Sequence, residues 1–163
     1  MKSSFTIAVL AGLFCAASSA GAADAPAPLW NKTCNKDANG KQSCVIEQFA
    51  VAMPQNSVLA HIRFFPTDKS DQTGMSLTAP LGVMLPQGFS LSVDDSKPIL
   101  LPFERCGAEG CEAMAVLDKT AMAKFSTGKK LVLHYNVSEK KGMDIPIKLE
   151  GLSAALQSLS KSN

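Results

Sequence analysis

The 163-residue chain carries 16 Lys and Arg against 14 Asp and Glu, a formal net charge of +2, and 46% of its residues are hydrophobic. Its lysines are scattered, the doublets Lys129-Lys130 and Lys140-Lys141 are too short for a nucleic-acid footprint, and one Trp and one Tyr make no stacking platform for bases. The expectation is therefore no nucleic-acid partner, and a length that suits one domain burying roughly two-thirds of its unfolded surface.

Residues 1–22 read as an export signal that is cleaved. Lys2 supplies a positive start, residues 5–17 form an apolar core too short to anchor in a bilayer, and Ala20-Gly21-Ala22 fits the small-x-small cleavage pattern. Cleavage after Ala20 or Ala23 fits nearly as well. Cys15 follows the bulky Phe14, whereas a lipoprotein signal places a small residue there, so Cys15 is expected to leave with the signal. No later stretch is long and apolar enough for a transmembrane helix. Residues 23–28 are an Ala/Pro leader, expected to be extended and flexible. Residues 29–163 are left as a single domain.

Without Cys15 the cysteines are even in number, which permits three pairings. Cys34–Cys44 and Cys106–Cys111 are favoured, because short loops close at low entropic cost and each pair brackets a turn. The turns are Asp37-Ala38-Asn39-Gly40 and Gly107-Ala108-Glu109-Gly110. A zinc site is the sharper alternative, although these spacings suit zinc knuckles poorly and an oxidising compartment favours disulfides. A redox pair would typically read Cys-x-x-Cys, and neither pair does.

Beyond the first turn the chain reads mostly as short strands. Residues 43–53 and 58–65 come first, the latter with alternation at His61-Ile62-Arg63-Phe64. Residues 75–78 are a short strand, and residues 81–85 an apolar run bounded by prolines. Residues 89–93 alternate strictly, as a half-buried strand does. Residues 99–103 form another strand, which Pro102 confines to an edge or bulge. Residues 112–117 lead to Asp118, an N-cap for a short helix over 119–125 that Gly128 stops. Residues 130–137 and 143–149 are strands joined by a hairpin turn at Lys140-Lys141-Gly142. In residues 152–159, Leu152, Ala155, Leu156 and Leu159 recur at helical spacing. Many short strands, frequent turns and little helix predict an all-β antiparallel sandwich.

The residues offer few candidates for chemistry. The two histidines, His61 and His134, each fall inside a predicted strand, where a surface or edge role is the ordinary one. Triads are spatial, so a Ser–His–Asp arrangement stays open, but no Gly-x-Ser-x-Gly elbow is present. Asp94-Asp95 reads as a solvated turn, with too few oxygens for calcium. The methionines are dispersed and read as core filling, so no metal or cofactor is expected. Glu104 and Arg105 beside Cys106 are an ion-pair candidate, and Glu109 and Glu112 flank the rest of that loop. Plain exposed charge is the ordinary reading. The sharper one is a rigid, charged contact loop of Glu104, Arg105, Glu109 and Glu112.

Several blocks together carry a resemblance. They are Trp30-x-x-x-Cys34, Cys44-Val45-Ile46-Glu47-Gln48, the run from Pro80 through Met84-Leu85-Pro86 to Gly88, Leu101-Pro102-Phe103-Glu104-Arg105-Cys106, Gly110-Cys111-Glu112-Ala113, and the closing run over 149–156. In this order the chain resembles the invasion-associated locus B family of exported proteobacterial proteins. The resemblance implies an immunoglobulin-like antiparallel β-sandwich with one or two short helices and both cysteine pairs bridged. It implies a place in the periplasm or cell envelope, no enzymatic activity, and interaction with an envelope or host protein. The family's name comes from host-cell invasion, but its members also resemble proteins of free-living bacteria. A solute-binding or stress-protective envelope protein is the alternative, with an enzyme behind both. One departure is Lys32, which stands where an apolar residue is usual and predicts a frayed first strand.

Overall fold

The computed structural model describes residues 29–160, so the expected signal, its Cys15 and the leader lie outside the described residues. In chain order the strands are β1 (Asn31–Lys36), β2 (Gln42–Ala52), β3 (Ser57–Pro66), β4 (Thr73–Ala79), β5 (Phe89–Val93), β6 (Ile99–Leu101), β7 (Arg105–Gly107) and β8 (Gly110–Leu117). Helix α1 (Lys119–Thr127) follows, then β9 (Lys130–Ser138), β10 (Lys141–Lys148) and helix α2 (Leu152–Ser160). One sheet has the order β1-β2-β3-β4-β8-β7 and the other β10-β9-β5-β6, with every pairing antiparallel.

Alternation decides what faces the core, since successive strand side chains point to opposite faces. Ala60, Ile62 and Phe64 of β3 are fully buried, as are Leu131 and Leu133 of β9, while Phe89 and Leu91 of β5 and Ile145 and Ile147 of β10 join them. Each such large apolar side chain contributes about 2 kcal/mol through burial. The inward faces of both sheets form one cluster, so the molecule is a two-layer β-sandwich. Tyr135 of β9 ties the layers together: its hydroxyl donates to the Leu59 carbonyl of β3 at 2.9 Å. Helix α2 lies against β1, β2, β3 and α1. It buries Leu152 and Leu159, with Ala155 and Leu156 partly covered, which is the stripe its spacing predicts.

The start of α1 follows its cap. The Asp118 carboxylate accepts from the Ala121 amide at 2.7 Å, satisfying one of the amides a helix start leaves unpaired. At Gly128 the chain leaves the helix for an extended conformation (φ −67°, ψ 158°), and the position has no room for a side chain. A Cβ there would lie 2.4 Å from a Val93 methyl and 2.7 Å from the Lys124 carbonyl oxygen.

Four expectations change. The apolar run over 81–85 forms no strand: it is a turn leading into a 3-10 turn at Leu85–Gln87, and Gly82, at φ +94°, takes the chain out of an extended path. The hairpin between β9 and β10 turns at Glu139 and Lys140, with a bulge at Lys141/Gly142, earlier than expected. Pro102 ends β6, an edge strand, and the chain then crosses to the other sheet as β7. The first strand is not frayed: Lys32 holds register with Ile46, and its ammonium donates to the Ser158 carbonyl of α2 at 2.6 Å.

Both disulfides form as paired, Cys34–Cys44 and Cys106–Cys111. Each joins residues directly opposed on adjacent strands, with Cα atoms 4.0 Å apart. The first closes the β1–β2 hairpin, where the Asp37 carboxylate accepts from the amides of Asn39 and Lys41 at 2.9 and 2.8 Å. Because the closed loops are short, losing Cys106–Cys111 by paired serine substitution is expected to cost about 2 kcal/mol, and losing Cys34–Cys44 about 3 kcal/mol. Urea unfolding of the two double variants measures both, and no loss in either would mean the bridges constrain nothing.

Candidate functional site

The Cys106–Cys111 bridge fixes a tight hairpin. Arg105 faces Glu112, Cys106 faces Cys111, Gly107 faces Gly110, and Ala108 and Glu109 form the exposed turn. Glu104 is also exposed, and its amide donates to the Glu112 carbonyl at 2.8 Å. The charged residues of this loop divide by environment. Glu112 is only 7% exposed. Its carboxylate accepts from Arg63 Nη2 at 2.6 Å and from Arg105 Nε at 2.8 Å. Arg63 Nε in turn donates to the buried Ser76 hydroxyl at 3.0 Å.

The ion pair expected between Glu104 and Arg105 is therefore made by Arg105 and Glu112 instead. Neighbours along a strand point to opposite faces, whereas residues opposed across a hairpin share one. Glu112 is not plain exposed charge. It holds two guanidinium groups, and removing one partner of a buried pair leaves the other uncompensated.

A second cluster adjoins this one on the outer face of the six-stranded sheet. Glu47 of β2 lies beside His61 of β3, with Nε2 2.8 Å from Oε2. The Thr33 hydroxyl of β1 donates to the other Glu47 oxygen. Phe49 stacks on the His61 ring, centroids 3.9 Å apart and planes 13° from parallel.

Burial pushes the His61 pKa below its ordinary 6.5, and the hydrogen bond and charge of Glu47 offset only part of that. Burial alone would raise Glu47, but hydrogen bonds from Thr33 and His61, with the charges of His61 and Arg63, outweigh it and leave Glu47 below 4.5. The positive charge of His61 exists only below its own lowered pKa. At neutral pH the contact is thus a hydrogen bond donated by the Nε2–H of a neutral ring. Both groups have depressed values in the fold, so both contribute stability above their unfolded pKa that is lost on acidification. The loss begins at His61 as pH falls below 6.5 and continues at Glu47 below 4.5. The melting temperature is expected to drop along this path, and His61→Gln to flatten its upper limb. A melting temperature that rises below pH 6.5 would contradict the assignment.

Between this cluster and the tied loop lies a concavity of about 520 Å³, lined by Phe49, Val58, His61, Thr78, Leu81 and Glu109 among others. Phe49 is 47% exposed and Leu81 61% exposed, so large apolar side chains stand in water beside fixed charges. Isolated exposed apolar residues are ordinary, but a group of them rimmed by polar residues is the composition of a contact surface.

The other sequence-singled residues lie elsewhere. His134 pairs with Asp144 at 2.6 Å on the four-stranded sheet. Neither histidine is hydrogen-bonded to a hydroxyl or thiol among the described residues. The Asp94 carboxylate accepts from the Lys129 and Lys130 amides at 3.1 and 3.0 Å, so it caps the start of β9. Arg63, Ser76, Glu47 and Phe49 carry no local sequence signal that places them near the loop. The alternation in β3 showed that His61 and Arg63 share a face, but only strand order brings that face beside β8.

The fold and its fixed loop define a class: a small antiparallel β-sandwich stapled by one cross-strand disulfide in each of two hairpins. The chain belongs to the invasion associated locus B family, whose sequence pattern matches residues 30–160. Invasion protein B of Bartonella bacilliformis is 29% identical over 136 residues, covering 81% of this chain and 72% of that protein. An invasion protein B homologue of Brucella abortus is 29% identical over 138 residues, covering 81% and 78%. The crystal structure of invasion associated protein B from Bartonella henselae superposes with a TM-score of 0.71 at 27% identity, covering 82% of this chain and 91% of that one.

Proposed function

We propose that this chain is an exported, non-enzymatic protein of the periplasm or cell envelope that acts by binding another protein. Its contact surface is the tied loop of Glu104, Arg105 and Glu109 with the neighbouring concavity, and Glu112 is the buried post that orients Arg105. The observation that supports this is the exposure of Phe49 and Leu81 beside Glu109, on a base immobilised by the Cys106–Cys111 bridge and the Arg63–Glu112–Arg105 cluster. A rigid surface loses little conformational entropy on association, which favours binding through a small area. The export signal read in residues 1–22 and the invasion-related names of the relatives fit a partner in the envelope or on a host cell. No helix among the described residues is long and apolar enough to cross a membrane, so attachment through a partner suits the described fold.

The test is a double substitution, Phe49→Ser with Glu109→Lys. Truncating an aromatic anchor and reversing an adjacent rim charge is expected to lower capture of the envelope partner by about tenfold or more, with the melting temperature lowered by only a few degrees as half-exposed Phe49 gives up its stacking on His61. Undiminished capture by a variant with both changes removes this surface from consideration.

A further inference from the structure

The two sheets leave one side of the sandwich open. There β6, the edge of the four-stranded sheet, stands near β8, and β7 pairs with β8 only as far as Glu112. A cleft of about 490 Å³ lies between them, roofed at one end by α1. That volume falls within the roughly 300–1,000 Å³ of small-molecule sites. The floor of the cleft is the core itself, since Met75, Leu91 and Phe125 are buried. Its rim carries Ile99 and Val116, 57% and 62% exposed. Lys97 and Lys124, both exposed, are the charged residues that line it, and no Asp or Glu does.

These features select an occupant. An apolar floor rejects a polar solute, whose groups would lose water and gain no partner there. Two ammonium groups with no lining carboxylate favour an anion. A peptide strand is poorly served by β6, because the strand spans only Ile99–Leu101 between Pro98 and Pro102, neither of which has an amide hydrogen to offer. What remains is a molecule with one long apolar part and one negative end. We propose that the cleft binds a monomeric long-chain fatty-acid anion, its chain between β6 and β8 and its carboxylate at Lys97 and Lys124. This site lies apart from the proposed contact surface and shares no lining residue with its concavity.

The test is titration of the mature protein with palmitate below its aggregation concentration, read by calorimetry. One saturable site is expected, strengthening by about fourfold for each methylene added along a saturated series until the cleft is filled. Lys97→Gln with Lys124→Gln, on exposed positions that leave the fold intact, is expected to weaken palmitate by about tenfold and to strengthen a quaternary-ammonium amphiphile of equal chain length, which the two ammonium groups repel. Ala115→Phe, which places a ring in the cleft, is expected to abolish binding. Any of four results overturns the proposal: no saturable binding, equal palmitate affinity in the double lysine variant, tighter binding of the cationic amphiphile than of palmitate by the unsubstituted protein, or association with anionic vesicles but not with monomeric palmitate.

Discussion

Phe64→Ala is expected to cost about 4 kcal/mol of unfolding free energy. The side chain is fully buried, with Trp30 5.7 Å away and Phe125 5.6 Å away between ring centroids. Trp30 precedes β1 and Phe125 sits on α1, so Phe64 is where the first hairpin, the central strand β3 and the helix meet. Alanine removes the ring and leaves a void that three elements cannot jointly close. Lost transfer energy and the cavity then add. For a domain of this size the melting temperature should fall by more than about 10 °C. Phe64→Leu should recover most of the loss, because it refills much of the volume. Urea unfolding measures both variants. A cost below about 1 kcal/mol for alanine would mean that the core is looser than described. The consequence reaches the surface, because β3 carries His61 and Arg63 on the face opposite Phe64.

Gly110→Ala is the second large effect, expected at about 3 kcal/mol or more. Gly110 has φ of +133°, a conformation that side chains disfavour, and its backbone packs against β4. A Cβ there would lie 2.0 Å from the Ala79 carbonyl oxygen, a backbone atom that no rotamer change can move aside. To admit it, β8 must shift at the position next to Cys111, where Ala79 and Cys111 are register partners. Gly107→Ala is the control: nothing stands within 4 Å of its added Cβ. That variant should stay within about 1 kcal/mol of the parent. Equal, small costs for the two would show that the hairpin is not seated against β4. Gly110 is thus the point at which the loop's geometry depends on the sandwich behind it.

Much of this frame was legible in residues taken in order. The cysteine spacings implied two local bridges, strict alternation over 89–93 identified β5, and Asp118 announced α1. These are local signals, set by a few neighbouring residues. What was hidden depends on partners distant in sequence. The run over 81–85 has the composition of a strand, yet Gly82 at φ +94° turns it out of an extended path. Glu112 reads as one more loop charge until β3 delivers Arg63 from 49 residues away. The concavity is assembled from β2, β3, the β4 end and the tied turn, and no single segment carries its pattern. The hairpin at 139–140 was misplaced because a bulge shifts the register where the sequence offers lysines and a glycine that suit a turn equally well.

The contact claim is tested most directly by site-specific photocrosslinking in intact cells. The reactive group is placed at Ala108, the exposed residue of the tied turn, and separately at Lys148, an exposed residue of β10 on the other sheet. The expected result is a discrete protein adduct from position 108 that disappears when Phe49→Ser and Glu109→Lys are added, and no such adduct from position 148. An adduct from 148 with none from 108, or one at 108 that survives both substitutions, would contradict the account.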